Sequence, residues 1–233
     1  IGNLWLGKDK GISYVAFNSP ISTYVNEKES FACYSGALSQ NKLFLATNQG
    51  VYTYSLNPRG EFENQGVIDG TQGQCWFTKQ IGNKLYFGLN NGTYSYSNGN
   101  LNKVCYISGG YNLERFGIEP SLFIQSTYRN LVTYSYENGS LRVNKIIPTY
   151  SSPTRFLQID FQNYLWLGHT VTGIYRAQIS NDLSEIVKID TIGIKNNLNI
   201  NTNRIYKIEN RIVVPTQKNI LRWDDISEQF IPF

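Results

Sequence analysis

The chain has 233 residues, of which 41% are hydrophobic and 14% aromatic, a composition that supports a sizeable core and excludes a disordered chain. Its net charge of +4 is distributed without a run of basic residues, so nucleic acid and a membrane surface are disfavoured as direct partners. No apolar run reaches the roughly 18 residues that a membrane-spanning helix requires.

A short motif recurs through the chain: a turn, an apolar strand, a small residue, a polar loop and a glycine that opens a second strand. Its first copy occupies residues 2–12, and the later copies follow at intervals of about 40 residues. The first apolar residues of the aligned copies are Leu4, Leu43, Leu85, Leu122, Leu165 and Ile212. Repetition at this spacing indicates an array of similar structural units.

Between the motifs the pattern remains that of short strands. Apolar, aromatic-rich segments precede four of the motifs, at residues 31–38, 74–81, 154–161 and 204–208. Asn98-Gly99 and Asn138-Gly139 each predict a two-residue hairpin after a motif. Longer connections are expected at residues 107–117, 148–155 and 191–203.

Six units of four short antiparallel strands predict an all-β fold, a β-propeller with about six blades. A large β-sandwich is the alternative, but a sandwich has no fixed repeat period. We expect a single domain, residues 1–233, with blades at about 1–28, 29–70, 71–109, 110–149, 150–192 and 193–233. The first blade lacks its inner strand, which would leave an unpaired edge beside the axis. We therefore expect a fragment of a larger propeller region, with more propeller before Ile1.

Each position of the motif has an expected role. An aromatic side chain fills the wedge between neighbouring blades, at Trp5, Phe44, Tyr86, Phe123 and Trp166. A small residue two places later lets the next blade approach closely, at Gly7, Ala46, Gly88 and Gly168. A glycine with positive φ opens the second strand, at Gly11, Gly50, Gly92 and Gly173. The cysteines lack C-x-x-C spacing and are predicted to be small buried hydrophobes, at Cys33, Cys75 and Cys105.

Residues 2–7, Gly-Asn-Leu-Trp-Leu-Gly, followed by Gly11-Ile12, resemble the repeat of the two-component regulator propellers. That family forms the periplasmic sensor region of bacterial hybrid two-component sensors and of triple-tyrosine-motif transcriptional regulators. The resemblance covers all six units, and is weaker in the fourth and sixth. Residues 11–21 and 165–169 look like the triple-tyrosine subgroup in particular.

The resemblance implies a dimeric periplasmic sensor, often one that responds to carbohydrate breakdown products. In the family, the propellers precede an immunoglobulin-like domain, a membrane helix and a cytoplasmic output module. The resemblance therefore implies a homodimer in the parent protein and contact with the membrane only through missing parts. Signal and membrane segments are absent from the sequence, and no direct nucleic acid binding by this fragment is expected.

A ligand site is expected on one end of the propeller, which we call the loop face. There the second strand of each blade meets the third, and the inner strands begin. Candidate ligand-binding residues on this face are Trp76, Tyr128, Arg129, Arg155 and His169. They can offer stacking and hydrogen bonds to a sugar-like ligand. A structural role is the alternative for each of them.

No catalytic residue, metal site or cofactor is predicted. His169 is the single histidine and has no partner motif of a catalytic triad. Asp160 precedes a turn, where its carboxylate can accept hydrogen bonds from local backbone amides. Asp9 and the Asp224-Asp225 pair also lie near repeat turns, and spacing alone pairs none of these carboxylates.

Three functions remain open at this stage. The first is a non-catalytic ligand-sensing module of a membrane-bound signal-transduction or transcriptional regulator, responding to a carbohydrate-like small molecule. The second is a propeller enzyme acting on carbohydrate, a glycosidase or lyase, which requires clustered acid and base groups. The third is a protein-docking scaffold without a small ligand.

Overall fold

The computed structural model describes residues 4–8, 11–15, 30–117, 119–148, 150–169, 171–198 and 204–233. Asp9 lies outside the described residues, as do residues 199–203 of the last predicted connection. The chain divides into two compact units, Ile1–Phe31 and Ala32–Phe233. The single-domain organisation and the blade limits given above stay predictions.

Regular structure in the described ranges is antiparallel β-sheet, apart from one 3₁₀ turn at Ile194–Asn196. The first unit contains a hairpin, sheet 1, formed by β1 (Leu4–Gly7) and β2 (Ile12–Val15). The second unit contains five four-stranded sheets. In each of them the strands are neighbours in chain order, so every sheet is a simple meander.

The five four-stranded sheets are numbered 2 to 6 along the chain. Sheet 2 contains β3 (Cys33–Ser39), β4 (Lys42–Thr47), β5 (Val51–Leu56) and β6 (Phe62–Val67). Sheet 3 contains β7 (Cys75–Ile81), β8 (Lys84–Leu89), β9 (Gly92–Ser97) and β10 (Asn100–Cys105). Sheet 4 contains β11 (Asn112–Arg115), β12 (Leu122–Ser126), β13 (Leu131–Glu137) and β14 (Ser140–Ile147). Sheet 5 contains β15 (Thr154–Ile159), β16 (Leu165–His169), β17 (Gly173–Ile179) and β18 (Ile186–Ile192). Sheet 6 contains β19 (Tyr206–Ile208), β20 (Arg211–Pro215), β21 (Ile220–Asp224) and β22 (Gln229–Pro232).

The turns follow the predicted chemistry. Asn98-Gly99 connects β9 to β10 and Asn138-Gly139 connects β13 to β14, each as a two-residue loop with positive φ at both positions. Two residues with positive φ are what a type I′ turn requires, and this turn matches the twist of the flanking strands. The glycines that open the second strand of the motif also have positive φ, at Gly11, Gly50, Gly92 and Gly173.

The core of the second unit lies between consecutive sheets. One cluster joins Phe44 of sheet 2 to Phe87 of sheet 3, and another joins Tyr86 of sheet 3 to Phe123 of sheet 4. Two further clusters join sheet 4 to sheet 5 and sheet 5 to sheet 6. Sheets 3, 4 and 5 therefore pack both of their faces against their neighbours in sequence, as blades of a propeller do, while sheets 2 and 6 each pack one face in these clusters.

The first strands of consecutive sheets are also joined by side chains that donate to the neighbouring backbone. Ser35 Oγ donates to the carbonyl oxygen of Thr78 at 3.3 Å, and Lys79 Nζ donates to that of Leu113 at 2.6 Å. The same device recurs at the next two boundaries, with Asn112 to Leu157 and Lys207 to Ile159. These bonds hold β3, β7, β11, β15 and β19 side by side as inner strands.

The aromatic wedge positions are confirmed in the second unit, where Phe44, Tyr86, Phe123 and Trp166 are buried. The prediction that Trp5 is a buried wedge residue is wrong, because its side chain is 67% exposed. Its ring contacts Tyr14 of the paired strand at a centroid distance of 4.6 Å. Trp5 therefore has the sequence of a wedge residue, but it is not buried between two sheets.

Two other predictions are corrected by the structure. Cys75 and Cys105 are buried, and burial raises the pKa of the Cys75 thiol to about 12, but Cys33 is exposed. Residues 107–117 were expected to form a connection, yet they contain the inner strand β11. The strand was missed because Asn112 and Glu114 interrupt its apolar pattern.

Asp160 stabilises the turn that follows β15, as predicted. Its Oδ1 accepts hydrogen bonds from the backbone N–H groups of Gln162 at 3.0 Å and Tyr164 at 2.9 Å. Its Oδ2 accepts from Trp166 Nε1 at 2.9 Å and lies 3.6 Å from Arg176 Nη2. This buried carboxylate thus connects the turn, the wedge tryptophan and an arginine.

Replacing Asp160 by asparagine is expected to lower the free energy of unfolding by about 2 kcal/mol, because an amide nitrogen would face the Trp166 donor. Denaturant unfolding measures this cost. The control is Asp190→Asn, which removes a partly exposed carboxylate paired with Lys188 at 2.9 Å and should cost no more than about 0.5 kcal/mol. Equal costs for the two variants would contradict the assigned role of Asp160.

Candidate functional site

Three inner strands carry a β-bulge near the loop face, each at the same place in its sheet. The pairing register shifts at Cys33/Ser35, at Cys75/Phe77 and at Thr154/Phe156. The residues left out of the ladder are Tyr34, Trp76 and Arg155. A bulge re-aims the side chain of the extra residue, so the inner strands present these three groups away from the regular ladder.

Tyr111 supplies a fourth side chain from sheet 4. It immediately precedes β11, and its N–H donates to the carbonyl oxygen of Ser126 at 3.0 Å. Tyr128 is the fifth contributor, from the loop between β12 and β13. We call Tyr34, Trp76, Tyr111, Tyr128 and Arg155 the aromatic cluster. All five are half-buried, so their side chains remain partly open to solvent.

The four rings of the aromatic cluster contact one another in series. The centroid distance is 5.0 Å from Tyr34 to Trp76, 4.9 Å from Trp76 to Tyr111 and 4.9 Å from Tyr111 to Tyr128. The Tyr111–Tyr128 pair is edge-to-face, one of the arrangements that aromatic quadrupoles prefer, and the planes of the other two pairs are tilted by 34° and 57°. The four rings therefore form one continuous series of contacts.

Hydrogen bonds fix the orientation of the cluster. Trp76 Nε1 donates to the Tyr128 hydroxyl at 3.1 Å, and that hydroxyl in turn donates to Asn90 Oδ1. Gly109 has a φ of +80°, and a Cβ there would come within 2.1 Å of the Tyr128 ring. The chain thus needs glycine at this position to let the ring lie against the connection from sheet 3.

Arg155 lies over the aromatic rings. Its Cζ is 4.9 Å from the centroid of Trp76 and 5.5 Å from that of Tyr34. Across the described ranges, no side-chain hydrogen bond or ion pair involves its guanidinium, whereas Arg176 has both.

Burial raises the pKa of the Tyr111 phenol, and Arg155 opposes that effect. The phenol therefore stays a neutral hydrogen-bonding group at physiological pH.

Of the five predicted site residues, the structure brings Trp76, Tyr128 and Arg155 together. Arg129 is exposed on the loop face, and its backbone N–H donates to Thr127 Oγ1 at 3.3 Å. His169 is the last residue of β16 rather than a loop residue, and its Nδ1 accepts two backbone hydrogen bonds, at 3.1 and 3.0 Å. Among the described residues, no side-chain hydrogen bond, ring contact or cation–π contact joins either of them to the aromatic cluster.

Sequence reasoning missed Tyr34 and Tyr111. A signal for Tyr34 was present, because Tyr34 and Trp76 each lie nine residues before the first apolar residue of their motif, Leu43 and Leu85. Tyr111 lacks that spacing and lies beside a strand that was not predicted. Only the folded chain brings its ring to the others.

A second concave feature lies at the other end of sheets 5 and 6, near the turns that carry Asp160 and Asp225. It is a cleft of about 370 Å³ between these turns. Burial raises the pKa of Asp225, while Arg176, 3.6 Å away, opposes the rise. Asp225 also accepts a hydrogen bond from Trp223 Nε1 at 3.1 Å.

No group of three His, Cys, Asp or Glu side chains that could hold a metal ion occurs in the described part of the chain.

No protein-family model matches the chain, and no curated protein matches it in sequence. Solved structures do match. The extracellular domain assigned to a hybrid two-component system from B. thetaiotaomicron aligns with a TM-score of 0.63 at 17% identity, covering 94% of this chain and 30% of that chain. The WD40 β-propeller domain of Doa1 aligns with a TM-score of 0.60 at 12% identity, covering 97% of this chain and 76% of that chain. The chain is a β-propeller.

This propeller is also similar to a virginiamycin B lyase from Staphylococcus aureus, with a TM-score of 0.61 at 12% identity, covering 89% of this chain and 71% of that chain. At such identities the likeness establishes the fold, which confirms the predicted class. The propeller spans under a third of the two-component extracellular domain that it matches. None of its described helical structure is long and apolar enough to cross a bilayer.

Proposed function

We propose that this propeller is a non-catalytic ligand-sensing module and that the aromatic cluster binds a carbohydrate-like small molecule. The observation that carries the proposal is the convergence of Tyr34, Trp76 and Arg155 from three bulges, joined by Tyr111 and Tyr128. Partly exposed rings with fixed orientation stack on the apolar faces of sugar rings, while adjacent polar groups bind hydroxyls. Bulges that re-aim side chains are common next to functional sites.

The parent protein that we propose is a membrane-bound signal-transduction or transcriptional regulator with this propeller in the periplasm. Two observations support this context: the motif of residues 2–12, and the structural likeness to the extracellular domain of a two-component system. In such a protein the ligand acts by binding one conformation of the sensor more tightly than another. We further propose that the parent protein is a homodimer, through which the change reaches the output domain.

An enzyme is the second candidate, because a lyase shares the fold and Asp225 has a raised pKa beside a cleft. The local contacts favour a structural role for this group of residues. Both oxygens of Asp160 accept hydrogen bonds, and Arg176 lies between Asp160 and Asp225. A docking scaffold without a small ligand is the third candidate.

Calorimetry with a panel of oligosaccharides tests the proposal, combined with chromatography of the ligand after incubation. We expect a sugar that binds and is recovered unchanged. Turnover of a bound sugar, lost in Asp225→Asn, would instead establish the enzyme. If no oligosaccharide binds the chain, the sensing proposal is wrong for sugars and the scaffold is favoured.

Replacing Trp76 by alanine is expected to weaken sugar binding about ten- to thirtyfold, because central aromatic contacts dominate binding free energies. The matched control is Tyr106→Ala, which removes a ring that is 79% exposed and has Lys103 as its ring contact. Its affinity should stay within about twofold of the unmodified chain. Equal losses in the two variants would place the ligand elsewhere.

A further inference from the structure

The charge state of the aromatic cluster suggests which sugars it selects. Its four ring side chains are neutral, and Arg155 is the one charged group, since the guanidinium stays protonated at any physiological pH. Arg155 is half-buried and has no carboxylate partner among the described residues. The site therefore carries one uncompensated positive charge.

An unpaired arginine at this depth has an unusual environment. Partial burial weakens the hydration of a guanidinium, and such groups are ordinarily paired with an anion. One comparable case elsewhere in the second unit is Arg176, whose guanidinium lies 3.6 Å from both Asp160 and Asp225. Arg155 has aromatic rings at 4.9 and 5.5 Å where Arg176 has two carboxylates in addition to its rings.

Contact with the rings leaves the hydrogen-bonding capacity of Arg155 unused. The faces of a guanidinium interact with aromatic rings, while its five N–H donors lie in its plane and fit a carboxylate or sulfate by paired hydrogen bonds. An oxyanion attached to a sugar ring would reach Arg155 while the ring lies against Trp76 or Tyr111. A neutral sugar would leave those donors with water only.

We propose that the ligand of the aromatic cluster is an acidic sugar, in which a carboxylate or sulfate binds Arg155 and the pyranose ring stacks on the neighbouring aromatics. This inference rests on the proposed function, because it specifies the ligand class of the same site. Arg155 alone then binds the group that distinguishes an acidic sugar from a neutral one. Binding should weaken as salt concentration rises, since it includes a partly exposed ion pair.

The test compares sugars that differ in one group. Oligosaccharides of galacturonic acid and of galactose with the same linkage and length form the first pair, and 6-sulfated and unmodified galactose form the second. Calorimetry with the full chain should give at least about tenfold tighter binding of one acidic member over its neutral partner. The pair that shows the preference identifies carboxylate or sulfate as the recognised group.

Two variants show whether Arg155 causes the preference. Arg155→Gln should reduce the ratio of the acidic-sugar to the neutral-sugar affinity to about one. Arg155→Lys should restore only part of the ratio, because lysine keeps the charge but not the planar fork. The control is Arg142→Gln, an exposed arginine on β14 whose loss removes the same charge and should leave the ratio unchanged.

The outcomes separate the two proposals. Tight binding of neutral sugars without any preference for acidic ones overturns the acidic ligand and leaves a carbohydrate sensor. A preference for acidic sugars that remains in Arg155→Gln also overturns the proposed role of Arg155, since another group would then bind the anion. Absence of binding to every member of both pairs overturns the acidic ligand, whereas binding of a different sugar in the wider panel would still support the sensor.

Discussion

Replacing Trp166 by alanine is expected to lower the free energy of unfolding by about 3–5 kcal/mol. The side chain is fully buried, and its ring packs edge-on against Trp223 at 4.9 Å and Phe230 at 5.9 Å, both in the next sheet. Alanine would leave a large cavity between sheets 5 and 6 and would remove the donor to Asp160 Oδ2. Denaturant unfolding followed by circular dichroism measures the loss.

The control is Trp5→Ala, which makes the same change at the same motif position. Trp5 is 67% exposed, and among the described residues its ring contacts that of Tyr14, so the expected cost is below about 1 kcal/mol. If Trp166→Ala does not fold, Trp166→Phe keeps most of the packing and should cost about 1–3 kcal/mol through the lost hydrogen bond. A cost for Trp166→Phe no greater than that of Trp5→Ala would show that burial of Trp166 does not stabilise the fold.

Gly88→Ala is expected to destabilise the protein by about 3 kcal/mol. A Cβ at Gly88 would lie 2.1 Å from the carbonyl oxygen of Gly110 and 2.3 Å from the ring of Phe77. The Gly110 contact is with backbone, so the connection that leads from sheet 3 into β11 must move away from Gly88 to make room. Thermal and denaturant unfolding of the variant measure the strain.

Gly7→Ala is the matched control, because Gly7 occupies the same position of the motif and a Cβ there meets nothing within 4 Å. Its unfolding free energy should change by no more than about 0.5 kcal/mol. If Gly88→Ala costs no more than Gly7→Ala, the close approach of the Gly110 connection to Gly88 tolerates a methyl group. Glycine would then have another role in the motif.

The sequence predicted the fold well because the repeat is a local property. Each copy specifies two strands, a turn and a small residue. The copies recur about every 40 residues, so the number of copies predicts the number of sheets. Asn98-Gly99 and Asn138-Gly139 specify their turns because few residues adopt positive φ. Asp160 could be assigned to its turn for the same reason, since its backbone partners lie within four residues.

Burial at Trp5 could not be predicted from the same motif. The motif places an aromatic residue on its first strand, but burial of that side chain needs a neighbouring sheet to cover it. Trp166 has such a neighbour in sheet 6, whereas the ring of Trp5 is exposed. Local pattern therefore predicts the position of a side chain, and packing decides its energetic role.

The sequence by itself determined that this protein is built from repeated four-stranded units, and it singled out Trp76, Tyr128 and Arg155 as candidates on the loop face. Only the tertiary structure decided that these three meet, that Tyr34 and Tyr111 join them, and that His169 and Arg129 do not. The reason is physical: the five residues of the cluster come from four sheets, and bulges at Tyr34, Trp76 and Arg155 re-aim their side chains. A bulge depends on how two strands pair, so it leaves no dependable pattern in a single sequence.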